Sequence, residues 1–334
     1  MKVLVTGANG FMGQHLVPHL RAAGHQVRAM VQPGTDARPV EKLADEVVLA
    51  DLRDAARLPE VVTGVDVVVH LAAVVSDFGP IRKYFAVNVR GLRGLLDASI
   101  AAGARRFVFM SSLAVHAYTG HPDGDEKTPA DVRWLAYGIT KRRGEQMVAE
   151  ADAAGRIESV VIRPGLFPFG PGDRQNFGRL ARSLQSGLLP LVDEGKAQIC
   201  TAYVENLVQG VRLCAEHPRA AGRTYVLADG VRTTWKDLLT RIAEATGGRP
   251  PRRSLPSGAA LAVATAWETL ATIFRPDRDP MLTRYRVEVA ARDLYFGIDR
   301  ARAELGYDPK ISLDEGIRRT AEWWLDARTV SRAA

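Results

Sequence analysis

The run Lys2-Val3-Leu4-Val5-Thr6-Gly7-Ala8-Asn9-Gly10-Phe11-Met12-Gly13 passes from a β-branched apolar stretch through three spaced glycines into a helical pattern. Glycines at this spacing allow a tight strand-to-helix turn and a bare backbone surface, and the helix that follows presents free N–H groups and the positive end of its dipole to an anion. Together these features predict a dinucleotide pyrophosphate site on Gly7, Asn9, Gly10, Phe11, Met12 and Gly13.

Outward from that turn, short apolar runs alternate with longer amphipathic ones. Strands are predicted at 3–6, 26–31, 46–50, 65–70, 106–110 and 159–163, and helices at 11–23, 81–102 and 134–153. Strands that are apolar throughout, with helices between them, signal a parallel sheet covered on both faces, and so a doubly wound α/β layout. The rhythm breaks at Gly165-Leu166-Phe167-Pro168-Phe169-Gly170-Pro171-Gly172, which predicts a loop. Later helices are signalled by Thr234 ahead of residues 235–245 and by the Ser312/Glu315 capping box ahead of a helix towards Leu325. The expected division is a dinucleotide domain over 1–165 and a mainly substrate-binding, mixed α/β region over 166–334, with some later segments returning to the first sheet.

The 334 residues, 46% hydrophobic and 25% charged, exclude a disordered chain or a small disulfide scaffold. The formal charge of +7 is spread among acidic neighbours, only eight of the 45 basic residues are Lys, and no basic block reads as a nucleic-acid arm. Cys200 and Cys214 form no Cys-x-x-Cys pair, and no His cluster has metal spacing. Met1 leads at once into a strand, so no leader is expected and the expected compartment is the cytoplasm.

Tyr137 and Lys141 are four residues apart on a predicted helix and so share a face. A neighbouring ammonium is expected to lower the phenol pKa towards the working range of an acid/base. Ser111 and Ser112 end the fifth strand, where open α/β sheets hold their ligands, and a serine there can hydrogen-bond a substrate oxygen. At the end of the second strand no acid stands ready for a ribose. Gln32 tolerates either cofactor, Arg28 and Arg38 are within sequence reach of a 2′-phosphate, and Asp36 keeps NAD open, so the balance leans slightly to NADP. Asp51-Leu52 is placed to meet the adenine.

The joint order of glycine loop, Ser-Ser and Tyr-x-x-x-Lys resembles the extended short-chain dehydrogenase/reductases. So do Asp51-Leu52, His70-Leu71-Ala72-Ala73, Asn88-Val89-Arg90-Gly91, Phe109-Met110-Ser111-Ser112 and Arg163-Pro164-Gly165. The resemblance implies a Rossmann-type fold with Tyr137 as acid/base, Lys141 on the nicotinamide ribose and Ser112 orienting the reacting oxygen. It further implies that Asn88 supports the active-site helix, that Leu71, Ala72, Ala73, Pro164, Gly165 and Phe167 line the cofactor, and that two long helices build a homodimer. His70 is expected to be a packed core residue rather than a catalyst.

The tracts Thr201-Ala202-Tyr203-Val204-Glu205-Asn206-Leu207, residues 291–296 and residues 298–307 resemble the branch of 3β-hydroxysteroid and sterol 4-carboxylate dehydrogenases. The run Lys196-Ala197-Gln198-Ile199-Cys200 lacks the Arg with which relatives clamp nucleotide sugars, and Leu113-Ala114 lacks the acidic pair of dehydratases. The expected activity is therefore an NAD(P)-dependent secondary alcohol/ketone interconversion on a lipophilic, steroid-like substrate. The alternatives are a sugar-nucleotide epimerase with retained NAD and a non-catalytic dinucleotide sensor. Residues 258–274 read as an amphipathic helix, with Val263, Trp267, Leu270 and Phe274 on one face and Thr265, Glu268, Thr269 and Thr272 on the other. The apolar face is expected either to pack in the core, to cover a greasy substrate or to rest on a membrane surface.

Overall fold

The computed structural model describes residues 1–274, 280 and 282–333. Seven parallel strands form one sheet in the order Arg223–Leu227, Glu158–Pro164, Arg106–Met110, Val67–His70, Lys2–Thr6, Gln26–Val31, Glu46–Leu49. The order reverses between Lys2–Thr6 and Val67–His70, which opens a crevice at their carboxyl ends.

Side chains alternate across the sheet. Val3, Val5, Val67 and Val69 pack on one face with Leu16 and Leu20 of helix Phe11–Ala22 and Leu207 and Val211 of helix Val204–Glu216. Leu4, Val68, Phe107 and Phe109 pack on the other with Leu92, Leu95 and Leu96 of helix Leu92–Ala101 and Met147 and Val148 of helix Ala136–Ala153. Each such side chain contributes roughly 1.5–3 kcal/mol by leaving water, so strands apolar on both faces are stable only when covered on both.

The predicted helix over 81–102 is interrupted. An α-turn at Ile81–Tyr84 runs into a π-helical stretch at Phe85–Gly91 before Leu92–Ala101 resumes as α-helix. The wider turn holds buried Asn88, whose amide accepts from Val74 N–H (2.8 Å) and donates to Val74 O and Thr140 Oγ1 (both 3.1 Å). Residues 165–172 are not loop throughout, because Phe167–Phe169 pairs in parallel with Thr201–Tyr203. The pairing satisfies backbone groups that proline and glycine leave exposed.

A four-stranded sheet (Thr233–Thr234, Gln198–Ile199, Leu294–Phe296, His121–Gly124) and a separate helical core make up the smaller region. That core joins Phe177, Leu238, Ile242 and Trp324 from helices Phe177–Ser186, Trp235–Thr246 and Leu313–Ala333. The caps fall where the sequence puts them: Thr234 accepts from Asp237 N–H (3.1 Å) and Ser312 from Glu315 N–H (3.3 Å).

Helix Ser257–Phe274 corrects one expectation. Its apolar stripe faces outward, and it is Glu268, from the expected solvent face, that is buried and paired with Arg284 at 2.6 Å. Core packing of the stripe is excluded, because the small Ala260 and Ala264 provide the contact with Val287.

Candidate active site

The crevice is a cleft of about 810 Å³ lined by Gly7, Asn9, Gly10, Phe11, Met12, Gly13, Gln32, Asp51, Leu52, Leu71, Ala72, Ala73, Pro164, Tyr137 and Lys141 among others. Its floor fits a dinucleotide. Gly7 has φ +64°, and a Cβ there would lie 2.9 Å from Ala72 Cα, so only glycine keeps the floor bare. Gly13 lies against the Ala8 carbonyl, bringing helix Phe11–Ala22 close to the sheet. That helix has no acidic residue in its first turn and no side-chain cap, which leaves its N–H groups free for an anion.

His70 is buried and shares a 2.8 Å hydrogen bond with Thr6 Oγ1, which also accepts from Ala72 N–H at 3.2 Å. Burial lowers the His70 pKa to about 3. This residue fastens the two strands at the reversal point.

Four predicted cofactor residues lie outside the lining. Asn88 stands behind it and positions Val74, which does line the cleft, together with the active-site helix through Thr140. Gly165 donates its N–H to Leu227 O (2.8 Å), and Phe167 stacks on Phe169 inside the smaller core. Arg38 points to solvent, held by Asp36 at 2.8 Å. Arg28 is also unavailable to a phosphate, because it is buried and committed to Glu46 and the carbonyls of Val61 and Thr63. Of the basic residues that line the cleft, Arg53, Lys83, Lys141 and Arg174, Arg53 is the one paired with Asp51, at 2.5 Å, and it holds that carboxyl down at about 2. Its position directly after Asp51-Leu52 was the available signal.

Tyr137 opens helix Ala136–Ala153, with Ser112 within hydrogen-bonding reach of its phenol. Burial raises this phenol to about 12, and the Ser112 hydrogen bond pulls it down. The expected lowering by Lys141 is not what governs it. The Lys141 ammonium donates to Met110 O (2.7 Å), stands 5.9 Å from the Tyr137 ring centroid, and is itself lowered by burial to about 7. Desolvation is the largest influence on both groups, raising the phenol and lowering the ammonium.

One turn further along the helix is Glu145, a residue the sequence reading passed over. Its carboxylate accepts from Ser111 Oγ at 2.5 Å and takes Arg163 in a fork at 2.9 and 2.7 Å. Glu145 also favours the charged form of Lys141. Its spacing of four from Lys141 was the legible clue; its partner Arg163, from another strand, was not.

Beside Tyr137 lies an apolar wall of Tyr118, Val132, Leu135, Val289, Leu294 and Tyr285. The rings of Tyr118 and Tyr285 meet edge to face at 5.4 Å. The wall is tied to the cleft by Asp77, which accepts from Thr283 Oγ1 (2.5 Å) and pairs with Arg286 Nε (2.8 Å).

A strand-end serine, a buried phenol and a buried ammonium beside a dinucleotide cleft define an extended short-chain dehydrogenase/reductase, an enzyme of NAD(P)-dependent type. The chain belongs to the NAD dependent epimerase/dehydratase family, whose pattern it matches over residues 3–228. It is 32% identical over 327 residues to a 2-alkyl-3-oxoalkanoate reductase of Stenotrophomonas maltophilia (strain K279a), covering 96% of this chain and 98% of that one. It is also 32% identical to a 3 beta-hydroxysteroid dehydrogenase/Delta 5-->4-isomerase of Mycobacterium tuberculosis (strain ATCC 25618 / H37Rv), over 95% of this chain and 88% of the relative. A short-chain dehydrogenase/reductase superfamily protein from Agrobacterium tumefaciens, solved with bound NAD, superposes with a TM-score of 0.76 at 26% identity over 100% of both chains.

Proposed function

We propose that the protein interconverts a secondary alcohol and a ketone on a lipophilic substrate, with a steroid-like ring as the leading candidate. The observation that carries this is the packing of Tyr137, which Ser112 hydrogen-bonds, against a cluster of aromatic and aliphatic side chains. The relatives named above act on a 2-alkyl-3-oxoalkanoate and on a 3 beta-hydroxysteroid, both ketone or alcohol carbons on hydrocarbon bodies. A nucleotide sugar would bring phosphates to that cluster, where the nearby guanidinium groups of Arg286 and Arg284 are already paired with Asp77 and Glu268.

A nicotinamide dinucleotide bound in the cleft supplies or takes up the hydride. In reduction, Ser112 Oγ–H and Tyr137 Oη–H hydrogen-bond the carbonyl oxygen, and Tyr137 gives up its proton as the hydride reaches the carbon, so a C–H and an O–H bond form while the C=O π bond breaks. A phenol raised to about 12 is fully protonated at neutral pH, the state needed for this donation. The phenolate left behind is stabilised by the Lys141 ammonium. Oxidation runs these steps in reverse. For the cofactor we favour NADP, because Arg53 lines the cleft at Asp51, where the neighbouring Gln32 is neutral.

The test is a spectrophotometric screen of hydroxysteroids, alkyl β-keto acids and nucleotide sugars with both cofactors, run beside Tyr137→Phe. Loss of one positioned proton donor lowers turnover about 10²- to 10⁴-fold while dinucleotide affinity is retained. Turnover confined to nucleotide sugars, or undiminished in Tyr137→Phe, refutes the proposal.

A further inference from the structure

We propose that helix Ser257–Phe274 is a docking face for an anionic lipid surface, lying in the plane of the headgroups. Its exposed residues include Val263 and Trp267 (each 49% exposed), Leu270 (54%), Ile273 (65%) and Phe274 (74%). At 100° per residue, these and Ala259, Ala262 and Ala266 cover an unbroken arc of about 140°. Soluble surfaces rarely gather so much apolar area on one element without a partner for it.

The rest of the helix fits the same boundary. Its single charge, Glu268, is buried and neutralised by Arg284, so no charge is exposed between residues 257 and 274. The threonines flanking the apolar arc return their hydroxyls to the backbone: Thr265 to Leu261 O (2.8 Å), Thr269 to Thr265 O (2.8 Å) and Thr272 to Glu268 O (2.7 Å). They therefore lose little hydration on entering an interface.

Length and composition alone would let these 18 residues cross a bilayer. The geometry points instead to a helix lying flat, because both flanks are fastened to the globular body. Ser257 N–H is held by Asp193 Oδ1 (2.8 Å), and Glu268 is held by Arg284, whose neighbours Thr283 and Arg286 bind Asp77. The charge of the partner follows from the base of the helix. Arg252 and Arg253 are exposed just ahead of it, with no carboxylate paired to them among the described residues, in a chain of net charge +7. An apolar stripe beside unpaired guanidinium groups matches a bilayer carrying anionic headgroups.

The face also backs onto the candidate site. The next helix, Arg284–Ala291, packs under it through Val287 and carries Tyr285 against Tyr118 beside Tyr137. Docking would therefore hold the substrate wall at the layer where a lipophilic substrate dissolves. Only this delivery role rests on the proposed function; the docking does not.

The experiment is flotation of the full chain with vesicles of phosphatidylcholine alone or mixed with phosphatidylglycerol. The unaltered protein is expected to float with the mixed vesicles and to be released by salt. The triple variant Trp267→Gln, Leu270→Gln, Phe274→Gln, with its circular dichroism unchanged, is expected to lose partitioning by at least about tenfold. Arg252→Gln with Arg253→Gln is expected to lower binding to mixed vesicles by roughly fivefold per arginine. Failure of the unaltered chain to float overturns the proposal. So does a dimer in solution that the triple variant converts to monomer, which makes the stripe a contact between copies. Turnover of a short water-soluble ketone, unchanged in the triple variant, reports on the catalytic proposal separately.

Discussion

Replacing Glu145 by Gln keeps the shape and the hydrogen-bond acceptor for Ser111 but removes the charge between Lys141 and Arg163. Lys141 is lowered to about 7 by burial, and Glu145 is the influence that opposes the fall. For side chains one helical turn apart, with Cβ atoms about 5–6 Å from one another, a unit charge at an effective dielectric near 20 is worth about 2–3 kcal/mol, or about two pKa units, and even half of that is decisive. At a pKa of about 7 half of the lysine is charged at neutral pH. A fall of about one unit leaves roughly one in eleven charged, a loss of about fivefold in any rate that needs the ammonium. The sign is fixed: the charged form is populated below the pKa, so the variant's rate falls off at lower pH than the parent's and recovers on acidification. The assay is kcat against pH for both proteins, with cofactor affinity measured alongside. An unshifted alkaline limb refutes the linkage of Glu145 to Lys141. Arg163, with its side chain 7% exposed, loses its carboxylate as well, and breaking such a buried pair costs about 3–5 kcal/mol of stability. Thermal unfolding in the same buffers separates that cost from the shifted limb, which a merely structural role would not produce.

Arg53→Gln is expected to weaken NADP binding by about tenfold or more, the worth of one hydrogen bond to a charged group, while NAD binding is spared; equal losses for both cofactors would remove Arg53 as the discriminator. Stability should fall on acidification, because His70 and His116, lowered by burial to about 3 and about 4, stay neutral in the fold while the unfolded chain takes up their protons below about 6.5. Their contribution is complete above pH 6.5 and is lost as the pH drops towards those values, and a His70→Asn variant whose urea midpoint keeps the full pH dependence would contradict the assignment for that residue.

The glycine loop, the strand run at Lys2–Thr6 and the Tyr137/Lys141 pair could be read from the chain because each is local. A turn needs glycine at a left-handed φ, a doubly covered strand needs apolar residues on both faces, and groups four apart on a helix share a side. The seventh strand, Arg223–Leu227, carries no such signature that separates it from other short apolar runs, and its place beside Glu158–Pro164 is decided by sheet edges that exist only after folding. The π-helical turn at Asn88 was equally hidden, since its register depends on Val74 and Thr140 from distant segments.

Sequence alone was enough to single out Ser112, Tyr137, Lys141 and the glycine loop as candidates, because they are nearest-neighbour patterns whose geometry is set by a strand end or a single helical turn. Tertiary structure alone decided how those groups are tuned and what surrounds them. Burial drives the phenol up and the ammonium down, Arg28 is spent on backbone carbonyls while Arg53 reaches the cleft, and the stripe of helix Ser257–Phe274 faces outward. Desolvation depends on every atom packed around a group, and the outward turn of a helix on which of its faces finds small residues to pack against; neither quantity is carried by residues adjacent in the chain.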